Sequence, residues 1–267
     1  MELSSIYRFP VKSAAGHALQ RAEADALGLV GDRRWMVVAA DSGRFLTQRV
    51  LPQMARIQPQ WLGGDGLLLR APGLPDLPVA LPDRGAEARL VTIWGRQVSA
   101  PDAGNAAADW LGQALGRPCR LVFLPAEQGL QVDLDYASPG DKAAFSDGFP
   151  FLLIGQSSLD DLSARVGRTF DMIRFRPNLV VAGAAPFAED DWRRIRIGDM
   201  TFRVAKPCSR CVIPTVDPVT GERAADGEPL ATLMRYRKRE GGVFFGQNLI
   251  ADGPGVLDVG MPVERLE

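Results

Sequence analysis

Proline and glycine interrupt the apolar runs of this chain so often that long regular elements are excluded over much of its length. Among its 267 residues are 28 glycines and 20 prolines. Between residues 61 and 98 the apolar runs are brief and end at one or the other, as in LLLRAPG, LPVALP, ARLVTIWG and RQVSAP. Both residues are poorly tolerated inside helices and central strands. The spacing therefore predicts short strands in a barrel or sandwich and argues against a βαβ fold.

Three segments nevertheless have helical character, so the predicted class is α+β, mainly β with some helices. DAGNAAADWLGQALG places apolar side chains on one face, and Asp102 or Asn105 could cap its start. SSLDDLSARVG begins at Ser157, a good N-cap residue, and EPLATLMRYRKRE is the third segment. The predicted strands include RRWMVVAA, CRLVFLPA, FLLIG and VFFGQNLIAD.

The length favours two domains, both rich in strands. CRLVFLPA is expected to close the first domain, which gives residues 1–124, and the second domain is then 125–267. Residues 125–148 are polar, contain several glycines and prolines, and show no periodicity. Such a composition is typical of a linker or of a loop that covers a site.

Charge and composition exclude several classes of function. Lys and Arg number 31 against 32 Asp and Glu, so no overall positive charge favours nucleic acid or an anionic membrane as a partner. The N-terminus lacks the apolar core of a signal peptide, and no apolar run reaches the ~18 residues of a membrane helix, so we expect a cytoplasmic protein. Its three cysteines are then reduced thiols. The single histidine, His17, argues against a histidine-based triad or a multi-histidine metal site.

The stretch KPCSRCVIPTVDPVTGE holds Cys208 and Cys211 and allows several interpretations. A redox dithiol would open a helix, and the prolines that follow disfavour one. Structural zinc needs four ligands, which the chain hardly supplies. Two buried, inert cysteines are also common. However, Arg210 between them is costly to bury unless an anion meets it. A single thiolate bound to a soft or high-valent metal therefore stays open as well.

The wider pattern resembles a known family. The motifs FPVKS, GDRRW, FLTQR, FRPN, CSRC and FFGQN occur in an order similar to that of MOSC proteins with an N-terminal MOSC barrel domain, the group of the mitochondrial amidoxime-reducing component and the bacterial YcbX-like proteins. The resemblance implies an N-terminal β-barrel-like domain followed by a C-terminal MOSC β-barrel domain. It also implies a molybdenum cofactor whose metal is held by one thiolate, that of Cys211, and, at superfamily level, pyridoxal phosphate binding.

The same resemblance implies which residues contact the cofactor. Their types suit a ligand with a phosphate and a flat ring, because arginine forks and lysine bind phosphate, and Asn and Ser bind ring edges. The implied cofactor contacts are Lys12, Ser13, Arg33, Ser157, Ser158, Arg176, Asn178, Ser209, Arg210, Cys211 and Asn248.

The implied activity is reduction of N-hydroxylated or N-oxygenated compounds, with oxygen abstracted at the molybdenum. The catalytic residues would be Cys211 and, as a proton relay, Asp217. Asp217 could equally cap the turn at its DP dipeptide. A separate electron-donor protein of ferredoxin, flavin or haem type is expected. The alternative is a protein that carries or binds the cofactor or a sulfur atom without turnover.

Overall fold

The computed structural model describes residues 1–83 and 85–267. The predicted class is confirmed, because strands dominate and only three α-helices are present in the described residues: α1 Asn105–Leu115, α2 Gln156–Val166 and α3 Leu230–Tyr236. The strands of the first half are β1 Glu2–Arg8, β2 His17–Leu19, β3 Arg21–Asp25, β4 Gly28–Leu29, β5 Trp35–Ala39, β6 Gln58–Trp61, β7 Leu67–Arg70, β8 Leu77–Val79, β9 Ala88–Ile93, β10 Arg96–Pro101 and β11 Cys119–Phe123. Those of the second half are β12 Leu130–Gln131, β13 Lys142–Ala143, β14 Phe151–Gly155, β15 Leu179–Ala182, β16 Arg194–Ile197, β17 Met200–Ser209, β18 Lys238–Arg239, β19 Gly242–Ala251, β20 Gly255–Asp258 and β21 Val263–Arg265.

A nine-stranded sheet organises the second half of the chain. Its strand order is β2-β1-β15-β14-β19-β17-β16-β21, with β18 paired to β19. All its pairs are antiparallel except β14 and β15, which are parallel and joined through α2. One βαβ crossover is therefore present, although the spacing of the short strands argued against a βαβ fold. The reason is FLLIG, whose side chains are buried on both faces, as in a parallel strand.

Strands β1 to β4 belong structurally to this second half. β1 pairs with β15, and β3 pairs with β20. Leu3 and Ile6 are fully buried in the apolar core of the large sheet. The boundary predicted at residue 124 therefore divides the sequence but not this sheet, and the N-terminal segment crosses from one half to the other.

The remainder of the first half is built around β5 and β11, which pair antiparallel. Trp35 and Val37 of β5 pack into one apolar cluster, and Met36 and Val38 pack into another on the opposite face. The alternation follows from the period of two in a strand. α1 adds Trp110 and the neighbouring leucines to the first cluster.

Two helix boundaries differ from the predicted ones. α2 begins one residue before Ser157, with Gly155 in the N-cap position, so the predicted serine cap is wrong. α3 ends at Tyr236, because the following Lys238 and Arg239 pair as a strand with β19. In the part of the chain that the structure describes, no helix is both long and apolar enough to cross a membrane.

Gly246 in β19 tests how tightly this sheet is packed. A methyl group there would lie 2.7 Å from the Leu153 carbonyl oxygen and from Ile154 Cγ1, at a φ of +82°. We expect Gly246→Ala to lower the free energy of unfolding by about 3 kcal/mol, from strain and overpacking together. Urea denaturation measures the change. Gly167→Ala is the control, because Gly167 has a φ of +80° with open space around it and should cost only about 1 kcal/mol. Equal losses in the two variants would contradict the packing argument.

Candidate functional site

A cavity of about 220 Å³ lies where the loop after β1, the segment before β5, the residues before β15 and the end of β17 come together. Its wall is thus made from both halves of the chain. Nine of the eleven residues that the resemblance implies as cofactor contacts line it, namely Lys12, Ser13, Arg33, Arg176, Asn178, Ser209, Arg210, Cys211 and Asn248.

The end of β17 brings the cysteine pair to this cavity. Cys208 and Cys211 are both free and both line its wall. The Arg210 guanidinium donates through Nη1 to Cys208 Sγ at 3.1 Å and through Nη2 to the Phe175 carbonyl oxygen at 2.6 Å. After Cys211 the chain forms only the 3-10 turn Ile213–Thr215. No α-helix begins at the pair, which agrees with the sequence argument against a thioredoxin-like dithiol.

Arg33 is fixed from three sides. Its Nη1 donates to Asp32 Oδ2 at 2.6 Å and to Asn178 Oδ1 at 3.1 Å, and its Nη2 donates to the Arg176 carbonyl oxygen at 2.9 Å. Asn178 is 1% exposed, and its Oδ1 also accepts a hydrogen bond from the Leu152 amide at 3.2 Å. Asn178 therefore anchors the Arg33 side chain to the large sheet.

Arg176 is a half-buried cation with incomplete hydrogen bonding. Its Nη1 donates to the Ala14 carbonyl oxygen at 2.6 Å, while its buried Nη2 has no partner among the described residues. The guanidinium carbon lies 4.3 Å from the centre of the Phe9 ring. Burial, followed by the positive charge of Arg33, lowers the pKa of Arg176 to about 9, which leaves the group charged at neutral pH. An anion bound in the cavity would stabilise such a cation.

Lys12 and Arg49 share the carboxylate of Asp147. Lys12 is 3% exposed, and its Nζ donates to Asp147 and to the Phe145 carbonyl oxygen. Burial lowers the pKa of Lys12, and the Asp147 charge offsets part of that effect. Arg49 Nη2 lies 3.4 Å from the other Asp147 oxygen. Burial also lowers the pKa of Arg49, but the charges of Cys211 and Asp147 raise it more, so it ends above its ordinary value.

Several lining residues were not predicted from the sequence. Arg49 and Lys206 add two cations, Asp147 adds a carboxylate, and Ser146 adds a hydroxyl. Arg49 closes the FLTQR motif and Lys206 opens the KPCSRC stretch, so both stand inside sequences that already indicated the site. Asp147 lies in the loop just before residue 148, which fits the expectation of a loop over a site.

Backbone strain is concentrated at this cavity. Five non-glycine residues have a positive φ among the described residues, and three of them line the cavity. These are Ser13 at 63°, Arg33 at 47° and Arg176 at 60°. Left-handed backbone costs roughly 1–2 kcal/mol for such residues and persists where surrounding contacts fix it. The left-handed backbone conformation directs two guanidinium groups, from different loops, into the same cavity.

The structure does not bring Ser157 and Ser158 to this cavity. Ser157 Oγ donates to the Ala184 carbonyl oxygen at 2.7 Å. Ser158 is fully buried, and its Oγ donates to the Glu189 carboxylate and accepts from the Phe187 amide. Both hydroxyls therefore secure the start of α2, and their predicted role as cofactor contacts lacks support in this geometry.

Asp217 also lies outside the cavity wall. Its Oδ1 accepts hydrogen bonds from the amides of Val219 and Thr220, each at 2.9 Å, and its Oδ2 accepts one from Arg174 at 3.1 Å. The turn amides, led by that of Thr220, lower its pKa, and Arg174 adds to the effect. The carboxylate therefore caps the turn and stays ionised, as the alternative interpretation of its DP dipeptide held. Its role as a proton relay stays a prediction that this placement disfavours.

The cavity wall has a large excess of positive charge. It carries one carboxylate, Asp147, against six cationic side chains: Lys12, Arg33, Arg49, Arg176, Lys206 and Arg210. Two buried guanidinium nitrogens on this wall, Arg176 Nη2 and Arg210 Nε, have no hydrogen-bond partner in the described residues. The described residues hold no cluster of three or more His, Cys, Asp or Glu side chains that could bind a metal ion. The charge of this wall therefore suits an anionic ligand, and a cysteine sulfur lies beside it.

The fold and the site together define a class of protein: a β-rich chain in two parts, with a cysteine thiol in a cation-lined cavity between them. Residues 1–118 match the MOSC N-terminal beta barrel domain, and residues 140–264 match the MOSC domain. The chain belongs to the family of MOSC proteins with an N-terminal MOSC barrel domain, which confirms the resemblance seen in its motifs.

The proteins to which the chain is similar include amidoxime-reducing components and a molybdenum cofactor sulfurase. The chain is 34% identical to mitochondrial amidoxime-reducing component 1 of Homo sapiens over 282 residues, covering 99% of this chain and 82% of that protein. It is 31% identical to mitochondrial amidoxime reducing component 2 of Bos taurus, covering 99% and 83%. It is 30% identical to the molybdenum cofactor sulfurase of Oryza sativa subsp. japonica, covering 92% of this chain and 32% of that protein.

The ion pair between Lys12 and Asp147 has a pH-dependent effect on stability. The Asp147 side chain is 57% exposed, so desolvation opposes its ionised form only in part, and the charges of Lys12 and Arg49 hold its pKa below the ordinary 3.8. A lowered carboxyl pKa stabilises the folded state above pH 3.8, and this contribution is lost as the pH falls toward the lowered value. We expect Asp147→Asn to lower the free energy of unfolding at pH 7 by about 1 kcal/mol, because it removes the charge partner of the buried Lys12 ammonium, while solvent screens the exposed carboxylate.

The difference from the wild type should shrink as the pH falls below 3.8, and denaturant titrations at several pH values measure it. Asp76→Asn is the control, because Asp76 pairs with Arg70 at the surface and should change stability by less than about 0.5 kcal/mol. A loss that does not vary with pH would contradict the assignment of this effect to the ion pair of Lys12 and Asp147.

Proposed function

We propose that this chain reduces N-hydroxylated compounds with a molybdenum pterin-dithiolene cofactor held in the cavity by the thiolate of Cys211. The observation that carries the proposal is the joining, on one wall, of a cysteine sulfur with six cations and a single carboxylate. Its relatives named for amidoxime reduction cover nearly the whole chain, which supports the same reading.

The donor set fits such a cofactor. A pterin-dithiolene ends in a phosphate, and the orphaned nitrogens Arg176 Nη2 and Arg210 Nε supply donors for an anion. Arg33 offers a guanidinium already positioned by Asn178. The side chains of Ser13 and Asn248 supply hydroxyl and amide groups suited to the edge of a flat ring.

When bound, the cofactor supplies the two-electron chemistry that cleaves an N–O bond. The overall change consumes two electrons and two protons and yields the reduced nitrogen compound and water. The chain's own residues bind and orient: Cys211 supplies the thiolate, and the arginines neutralise the anionic ligand. Arg210 holds Cys208 Sγ by a hydrogen bond, which leaves Cys211 as the sulfur free of that contact. Electrons would come from a separate donor protein of ferredoxin, flavin or haem type.

A second candidate is a carrier that binds the molybdenum cofactor or a sulfur atom and passes it on without turnover. The match to a molybdenum cofactor sulfurase over 92% of this chain favours it. Both functions use Cys211. They differ in whether the loaded protein turns over an N-hydroxylated compound with an artificial electron donor.

The matched pair Cys211→Ser and Cys208→Ser tests the proposed ligand. Protein made in a molybdenum-replete host should contain about one molybdenum per chain by mass spectrometry, and only Cys211→Ser should lose it, because only its sulfur bonds the metal. Reduction of benzamidoxime with reduced viologen should follow the metal content. Molybdenum retained in Cys211→Ser would refute the ligand assignment. Stoichiometric molybdenum without benzamidoxime reduction would instead favour the carrier.

Asp217→Asn tests the proton relay. Asparagine keeps the side-chain oxygen that caps the turn, so the local fold should persist. Because the carboxylate accepts from Val219, Thr220 and Arg174 and lies outside the cavity wall, we expect kcat for benzamidoxime to stay within about twofold of the wild type. A loss of about a hundredfold, typical of removing a general acid or base, would restore Asp217 as the relay.

A further inference from the structure

A second cavity of about 390 Å³ adjoins the first. The two share the wall formed by Arg49, Ser146, Asp147, Phe149, Lys206 and Ser209. A small molecule that approaches Cys211 from this side must pass residues common to both. Beyond the shared wall, Ile93, Trp94 and Leu130 give the second cavity an apolar surface.

Trp94 stands at the edge of this second cavity in an unusual backbone conformation. It forms, with Gly95, the two-residue turn between β9 and β10, at φ values of 51° and 76°. This position favours Asn or Gly, and a bulky aromatic residue there is strained. The indole is 46% exposed, and Phe45 supports it with ring centres 4.8 Å apart. A strained, exposed indole beside a cavity provides a surface on which an aromatic ring can stack.

Positive charge surrounds that surface. Arg96 follows the turn, is exposed, and donates to the Gln131 carbonyl oxygen at 2.6 Å. Lys206 Nζ lies 4.1 Å from the centre of the Tyr136 ring. Neither side chain forms an ion pair within the described residues. Two carboxylates line the second cavity. Lys12 and Arg49 neutralise Asp147, so the remaining negative charge of this lining is that of Asp133.

We propose that the second cavity is the substrate vestibule and that it selects aromatic N-hydroxylated compounds bearing a carboxylate or phosphate group. The aromatic ring would stack on Trp94, and the anionic group would face Arg96 and Lys206. The N–O group would then point across the shared wall toward Cys211. This inference rests on the proposed reductase function and adds the class of substrate.

Steady-state kinetics with molybdenum-loaded protein and reduced viologen tests the charge preference. The substrates are benzamidoxime and 4-carboxybenzamidoxime, which differ by one negative charge. We expect kcat/KM to be about fivefold higher for the carboxylate, the size of an exposed ion pair of about 1 kcal/mol. Arg96→Glu should lower the ratio of the two kcat/KM values about tenfold, because it replaces attraction with repulsion.

Arg265→Glu is the matched control. Arg265 is also exposed and also donates to a backbone carbonyl oxygen, that of Asp191, but it lies in β21 outside both cavities. Its substitution should leave the ratio unchanged. A ratio that is the same in wild type, Arg96→Glu and Arg265→Glu would overturn the inference while benzamidoxime turnover keeps the proposed function intact.

Binding measured without turnover separates the two failures. Quenching of tryptophan fluorescence by 4-carboxybenzamidoxime reports occupancy of the vestibule whether or not the protein is active. Trp94→Gly should remove most of the quenching and weaken binding about fivefold, and glycine adopts the turn conformation without strain. Binding that is unaffected in Trp94→Gly and Arg96→Glu would overturn the vestibule. Binding lost in both variants, in a protein that reduces neither substrate, would support the vestibule and contradict the reductase.

Discussion

The pairing of β1 with β15 is the contact on which the site depends. It attaches the N-terminal segment to the sheet of the second half, with Leu3 and Ile6 buried in that core. The loop that follows β1 therefore emerges directly beside the end of β17. Lys12 and Cys211, separated by nearly 200 positions in the sequence, line one cavity for this reason. This pair of strands brings Lys12 to the half of the chain that already carries Arg176, Arg210 and Cys211.

The same arrangement brings several positive charges close together. Neutral groups, an aromatic ring and backbone carbonyl oxygens, contact many of these cations. Arg33 and Arg176 both stack against Phe9, at 4.5 and 4.3 Å from its ring centre. Backbone carbonyl oxygens accept from Arg33, Arg176 and Arg210, so few carboxylates compete for the cations. Arginine suits this role because its guanidinium keeps its charge while spreading it over several donors. The cavity wall thus keeps an excess of positive charge.

Much of this site could be predicted from the sequence because its residues lie in short motifs. FPVKS, GDRRW, FRPN and CSRC gave Lys12, Arg33, Arg176 and Cys211, and all four line the cavity. Asp147 could not be found in that way, because its role comes from a contact with Lys12 across 135 positions. Ser158, which the resemblance implies as a cofactor contact, lies outside the cavity wall, and its hydroxyl donates to Glu189. The sheet shared by the two halves could not be predicted from local sequence either, because strand propensity does not determine which strands pair.

The closure of the fold by late strands bears on how the protein is made. β3 can pair only after β20 has been made, and β16 can pair with β21 only after that strand has been made. Strands near the C-terminal end therefore complete sheets that begin earlier in the sequence. On a ribosome, the emerging first half would hold a half-formed cavity, with Arg33 and Lys12 present and the cysteine still unsynthesised. Only after β17 and β19 have been made can the cations of both halves and the cysteine sulfur line one cavity.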